Sequence, residues 1–284
     1  MRAFVYERPN RLADALALMA GDDPARPLAG GTDLIIRIRD GSIRPSTVVD
    51  VKGIAEFSGD IRAADGWLRI GARTTMTDLL RDERIRRDYT ALAEAAAYVG
   101  SVQIRNRATL AGNICNASPA ADTAPALLAF GARVIAVGQA ARRVIPLDDF
   151  FVRSGVTTLA SGELVEAIEM PLATGGHGSV HARRTRRRGH DLASVTLAVS
   201  IDDEGVTRVS YGSVGPRPVV SVDESGVLAD PAASDDAVRE RLDELFAAAA
   251  PSRTSMRASP EYRLAMLRVM GLRAVRAAGE RRAS

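Results

Sequence analysis

Two short runs combine residue types that suit a phosphate group with a nucleotide attached. Gly30-Gly31-Thr32 follows a predicted strand. Paired glycines let backbone N–H groups approach an oxyanion with no Cβ in the way, and the Thr32 hydroxyl adds a further donor. A helix starting immediately afterward would point its N-terminal dipole at the same place, favouring phosphate or pyrophosphate. The same residues also suit an ordinary tight turn with Asp33 as helix cap, because glycine pairs are common in turns. The second run is Thr109-Leu110-Ala111-Gly112-Asn113, followed by Asn116-Ala117-Ser118-Pro119-Ala120-Ala121-Asp122. It holds a hydroxyl, a glycine, two carboxamides and a carboxylate. Donors suit phosphate oxygens and a carboxylate suits ribose hydroxyls. A polar Ω-like loop bonded to itself has a similar composition. The usual Rossmann glycine fingerprint, the P-loop and the His-Glu-x-x-His zinc motif are all missing from the sequence.

Other reactive side chains carry weaker signals. His177 and His181 stand four apart near His190, a spacing that ligates metals on a helix, but the glycines around His177 argue against a helix and no acid or cysteine completes a set. The arginine run at 183–188 has the form of a nucleic-acid patch. With a net charge of only +3 and no interleaved aromatics, it reads as a solvated face or a subunit contact. Cys115 is the one cysteine and has no base beside it in sequence, so it reads as a packing residue.

These runs need elements to position them. Strand, helix, strand, helix, strand are expected at 4–6, 12–20, 26–29, 34–40 and 48–51, a small α/β unit whose first helix puts Leu12, Leu16 and Met19 on one face. A second α/β unit follows, with a strand at 68–71, helices from about 77 and 90–99, a helix at 125–130 and strands at 133–137 and 164–170. Residues 103–125 are rich in Asn, Gly, Ser, Asp and Pro and are expected to form a loop on that scaffold. Three glycines in 175–178 penalise helix and strand alike and mark a linker. Beyond it, strands at 180–183, 195–200 and 206–214 and helices near 235–249 and 259–278 make an α+β unit, the last helix opening with Ser259 as N-cap and Pro260 in its first turn.

Composition sets the outer limits. At 284 residues, about two domains are expected. No uninterrupted apolar stretch approaches the roughly 18 residues of a membrane span and the start lacks the apolar core of a secretory signal, so a cytoplasmic protein is expected. One cysteine excludes an internal disulfide and any iron-sulfur site built from this chain's cysteines alone. Lys52 is the one lysine among the basic residues, a bias that carries no functional weight in this reading.

The pair AGGTDLIIRIRDG (29–41) and QIRNRATLAGNICNASPAADTAPALLAFGARV (103–134) resembles the two signatures of FAD-binding medium subunits in the xanthine dehydrogenase and carbon monoxide dehydrogenase family of molybdenum hydroxylases. Matching segments VVDVKGI, IGARTTMTDL, ELVEAIEMP, RRRGHDLASVTLAVS and RASPEYRLAMLRVMGLRAV extend the resemblance over nearly the whole chain. NASPAAD is closer to the xanthine dehydrogenase branch, and Ala111 stands where many relatives carry glycine.

The resemblance implies an α+β protein. A two-subdomain FAD-binding α/β region of the PCMH or vanillyl-alcohol-oxidase-like type would span 1–174, divided at about 52/53, with an α+β C-terminal domain over 175–284. By position, the run from Leu28 through Ala29, Gly30, Gly31, Thr32 and Asp33 to Leu34 would wrap the pyrophosphate. Thr109 would join it through its hydroxyl, and Gly112 and Asn113 through their backbone. Asn116 and Asp122 would hold the nucleotide end, Asp122 at the ribose, while Val165 and Arg183 occupy places that approach the adenine or the flavin. FAD is expected to be non-covalent. Molybdopterin and the 2Fe-2S clusters would sit on partners, a large molybdopterin-binding subunit and a small 2Fe-2S subunit, with NAD or another acceptor receiving the electrons and no part for nucleic acid. A self-sufficient flavin oxidase or reductase and a flavin-free assembly protein of the same fold are the alternatives.

Overall fold

The computed structural model describes residues 3–21, 24–173, 175–187, 189 and 191–283. Thr174 at the expected boundary, Arg188 of the basic run and His190 lie outside the described residues.

The first unit is a three-stranded parallel sheet in the order Val5–Glu7, Thr47–Asp50, Ala25–Leu28. Parallel neighbours need a crossover, and the helices Leu12–Met19 and Leu34–Arg39 lie in the two connections. Ala15 and Leu16 of the first helix are buried, with Leu12 and Met19 packed on the same core. All three strands run the same way, so their carboxyl ends open together on one side of the sheet.

The second unit is built on a five-stranded, wholly antiparallel sheet in the order Ile61–Ala64, Trp67–Gly71, Leu164–Pro171, Arg133–Val137, Arg142–Pro146. Its three inner strands follow the apolar runs in the sequence. The two edge strands do not, because most of their side chains are exposed and no burial pattern marks them. The central strand buries Glu166 and Glu169, which is tolerated because Arg69 bridges both at 3.0 and 2.6 Å while Arg142 and Arg133 close the pairs at 2.6 and 2.8 Å.

The polar stretch 103–125 is not the plain loop its composition predicts. It is folded into helices Val102–Arg105 and Leu110–Cys115, and the next helix, Thr123–Ala129, begins two residues before the expected start. Ser101 and Thr109 supply the caps, accepting from the N–H groups of Ile104 and Gly112, and Leu110, Ala111 and Ile114 bury the apolar side. Pro125 fits within the first turn, where its missing N–H has no helical partner to lose.

The third unit is a four-stranded antiparallel meander, Gly178–Arg184, Val195–Ile201, Thr207–Gly212 and Val219–Asp223, backed by helices Asp235–Leu245 and Pro260–Arg282. The long helix starts at the expected Ser259 cap, whose hydroxyl accepts from Tyr262 N–H at 3.2 Å. Buried apolar side chains sort into two clusters, one drawn almost wholly from residues 15–170 and one from residues 180–278. Helix Thr90–Ala97 joins the second and third units: Ala91 N–H donates to Ser179 Oγ at 3.1 Å, and Glu94 accepts from His181 N–H at 2.8 Å and from Arg281 at 2.6 Å.

Asp223 fixes the end of that meander. It is fully buried and accepts from Ser225 N–H and Oγ at 3.1 and 2.7 Å and from Arg241 Nε at 2.8 Å. Burial alone would raise its pKa, but these bonds outweigh it and hold the carboxyl below the ordinary carboxylate range. A depressed folded-state pKa contributes stability above the unfolded value of about 3.9, lost as pH falls through the folded value. Urea midpoints measured from about pH 6 down to pH 3 are therefore expected to fall less steeply for Asp223→Asn than for the parent, with the variant less stable at neutral pH. Parallel curves would count against this carboxylate as a source of the acid sensitivity.

Candidate cofactor-binding site

Strand Ala25–Leu28 delivers the chain to the glycine pair at the carboxyl edge of the parallel sheet. The two glycines are needed for different reasons. A Cβ on Gly30 would lie 2.1 Å from the Arg107 carbonyl oxygen, so Gly30 is where the first unit packs on the segment leading to Thr109. Gly31 has φ of +77°, a left-handed conformation that glycine adopts without strain. Asp33 takes the N-cap position without a side-chain cap bond, and a turn forms here in which the Gly31 carbonyl accepts from Ile35 N–H at 3.1 Å. Among the described residues, the backbone N–H groups of Gly30, Gly31, Thr32 and Asp33 donate to no protein acceptor. Thr32 is half-buried beside them, Leu28 and Ala29 lead in, and Leu34 starts the short helix.

In the second run, Thr109 is buried and caps helix Leu110–Cys115. Its Oγ1 accepts from Gly112 N–H at 3.1 Å and its carbonyl accepts from Asn113 N–H at 3.0 Å. The backbone contacts that the resemblance assigns to Gly112 and Asn113 are thus spent on closing the helix's first turn. What this run has left to offer is side-chain donors. The Thr109 hydroxyl keeps its proton, and the Asn113 carboxamide accepts from Thr123 Oγ1 at 2.6 Å through its oxygen, while its NH2 has no hydrogen-bond partner among the described residues. Asn116 is the helix C-cap and half-buried, and Ala117 after it is held at φ of 45°. The Ala111 methyl is buried in the first core, so it departs from glycine without intruding on the loop surface. Cys115 packs on the same core, and burial pushes its thiol up to about 12, which keeps it protonated and unreactive at neutral pH.

Asp122 meets residues from the far end of the chain. Its Oδ2 lies 3.2 Å from Arg183 and its Oδ1 lies 3.4 Å from His181 Nε2, which is itself bonded to Thr196 Oγ1 at 3.0 Å. The Arg183 guanidinium also donates to the Asp191 carbonyl and sits 4.9 Å above the Tyr98 ring. Among the described residues, three atoms of this group, Asp122 Oδ1, His181 Nδ1 and Arg183 Nε, are buried with no hydrogen-bond partner. Buried polar atoms are rarely left that way, so the group has spare capacity for a polar ligand. Val165 lies on the central strand of the antiparallel sheet, at the start of a β-bulge that runs to Ala167, and helix Leu110–Cys115 packs on that strand.

Several of the expected residues are therefore linked by a chain of contacts. Gly30 packs on Arg107, the Thr109 helix follows, Asn113 is tied to Thr123, and Asp122 is paired with Arg183. Tyr98, His181 and Thr196 join through tertiary contacts that no local pattern announces. His181 drew notice only for a helical metal spacing, and it lies instead on strand Gly178–Arg184. Lys52, inside the VVDVKGI segment, donates to the Ala29 carbonyl at 3.1 Å. Its signals in the sequence are its place in that segment and being the single lysine.

Residues 2–173 match the family described as the FAD binding domain in molybdopterin dehydrogenase, and residues 181–278 match the CO dehydrogenase flavoprotein C-terminal domain. The xanthine dehydrogenase FAD-binding subunit of Escherichia coli O157:H7 is 33% identical over 93% of this chain and 92% of its own length. The carbon monoxide dehydrogenase medium chain of Hydrogenophaga pseudoflava is 30% identical over 98% of each chain. A solved structure of carbon monoxide dehydrogenase from that organism, lacking the Mo-pyranopterin moiety, superposes with a TM-score of 0.90 at 28% identity, covering 99% of this chain and 98% of the other.

Proposed function

Because the chain belongs to the family of FAD-binding domains of molybdopterin dehydrogenases, we propose that it is the electron-relaying flavoprotein subunit of a multi-subunit molybdenum hydroxylase. The observation that carries the reading is the pairing of four backbone N–H groups at Gly30–Asp33, unpartnered among the described residues, with a buried, under-bonded Asp122–Arg183 pair linked to them by contacts through Arg107, Asn113 and Thr123. Unpartnered N–H groups suit a pyrophosphate, and a carboxylate with a spare oxygen suits a ribose hydroxyl.

In this reading Leu28–Leu34 wraps the pyrophosphate through the N–H groups of Gly30, Gly31, Thr32 and Asp33. The Thr109 hydroxyl and the Asn113 carboxamide add side-chain donors, while Gly112 serves the Thr109 cap. Asn116 and Asp122 hold the nucleotide end, and Val165 and Arg183 border the rings. Bound FAD supplies the redox chemistry, and the chain supplies position and electrostatics. Substrate oxidation belongs to a large molybdopterin-binding partner, electrons arrive through a small 2Fe-2S partner, and NAD or another acceptor takes them away. The domain division at 174/175 goes with this reading. No helix among the described residues is long and apolar enough to cross a membrane.

The visible absorption spectrum of the purified full chain tests this. Flavin bands are expected to co-purify, to pass into the supernatant on acid precipitation, and to give a fluorescence rise when the released flavin is cleaved by phosphodiesterase, as FAD does. Thr109→Ala is expected to lower flavin content and, through loss of its cap, to cost about 1 kcal/mol of stability. A chain that stays colourless with FAD supplied overturns the proposal.

A further inference from the structure

Lys52 lies outside the runs assigned to the cofactor, yet it holds one of them. Its Nζ donates to the Ala29 carbonyl at 3.1 Å and to Asp50 Oδ1 at 2.6 Å. Asp50 sits at the carboxyl end of the central parallel strand, in register with Leu28, and is 3% exposed. Its Oδ1 also accepts from Lys52 N–H at 3.0 Å, and its Oδ2 accepts from the Tyr6 hydroxyl at 2.5 Å. Burial would raise the Asp50 carboxyl, but the bonds from Lys52 and Tyr6 outweigh it and hold the pKa low, so Asp50 stays ionised as a fixed anchor. The Lys52 carbonyl in turn accepts from Arg73 at 3.1 Å, which ties the same residue to the second unit.

This anchor has a consequence for the neighbouring peptide. A trans peptide unit is planar, with its C=O and N–H pointing in opposite directions. Drawing the Ala29 carbonyl toward Lys52 therefore turns the Gly30 N–H to the opposite side of the loop, where it is left without a protein acceptor. We propose that Lys52, braced by Asp50, is the positioning residue of the glycine loop: its ammonium fixes the Ala29–Gly30 peptide so that the Gly30 N–H is presented to the cofactor's pyrophosphate. The inference rests on the FAD reading and adds a role outside the binding runs.

The test is the FAD dissociation constant of the apo full chain, from quenching of flavin fluorescence, for the parent, Lys52→Met and Lys52→Gln, with a thermal melt of each apo chain. Lys52→Met, which keeps the stem and loses every donor, is expected to raise the constant about 10- to 100-fold. Lys52→Gln keeps a neutral donor for the Ala29 carbonyl and is expected to fall between Met and the parent. If Lys52→Met melts too early to assay, the Gln variant decides alone, by binding more weakly than the parent. Parent-like affinity in Lys52→Met overturns the proposal, as does an equal loss in Met and Gln, which would leave only the charge. A parent chain that binds no FAD would instead defeat the functional reading, so the two failures are distinguishable.

Discussion

Gly30→Ala is expected to destabilise the apo chain by about 3 kcal/mol and to weaken FAD binding by roughly two orders of magnitude, whereas Gly31→Ala should cost only about 1–2 kcal/mol. The difference follows from what each new methyl group meets. At Gly30 it would lie 2.1 Å from the Arg107 carbonyl oxygen and 3.0 Å from the Ala108 Cα, all backbone, so no side-chain rotation relieves the overlap. The loop or the 107–108 segment must move, and Thr109 and its helix follow directly. At Gly31 the nearest atoms are side-chain carbons, Leu28 Cδ1 at 2.9 Å and Ile35 Cγ1 at 3.4 Å, which yield more easily than backbone. What remains there is the cost of holding alanine at φ of +77°. Urea unfolding of both apo variants, paired with FAD titrations, separates the two mechanisms. A Gly30→Ala chain as stable as the Gly31→Ala chain would show that the contact with Arg107 does not constrain the loop.

That contrast also shows what a sequence reveals about such a site. The glycine run drew notice because glycine beside glycine after a strand suits a tight turn or an anion, and the sequence around it did not choose between the two. Which glycine faces the other unit was not legible, since Arg107 is 77 positions away and nothing in its surroundings marks it. The inner strands of the antiparallel sheet were legible from their apolar runs, and the edge strands Ile61–Ala64 and Arg142–Pro146 were not, because an edge with one solvated face and little burial leaves no periodicity. The stretch 103–125 misled in the other direction. Its polar residues suggested a loop, but Ser101 and Thr109 are capping residues and the few apolar side chains between them suffice to seat two short helices. Lys52 was visible as the single lysine within VVDVKGI, but its contact was not, because its partner Ala29 comes beside it only when strands Ala25–Leu28 and Thr47–Asp50 pair.

The Asp122–Arg183 pair is where stability and binding should come apart most clearly. Asp122→Ala leaves the Arg183 guanidinium, whose side chain is only 8% exposed, with no carboxylate beside it, and removing one partner of a buried pair costs about 3–5 kcal/mol. Arg183→Met, with a side chain that can still pack on Tyr98, should cost a similar amount or somewhat less, because Asp122 keeps only the His181 ring beside it. The double variant removes both charges, so its loss should be well below the sum of the two single losses, a coupling of roughly 1–3 kcal/mol in a double-mutant cycle. If the pair existed only to join the second and third units, recovered stability would bring the rest of the site back with it. Among the described residues Asp122 Oδ1 has only His181 Nε2 near it, at 3.4 Å, and Arg183 Nε has no hydrogen-bond partner, which argues otherwise because buried polar atoms are rarely left so. The double variant is therefore expected to regain much of its melting temperature while binding FAD as weakly as Asp122→Ala alone. Affinity that returns together with stability would assign the pair to domain docking and take the ribose contact away from Asp122.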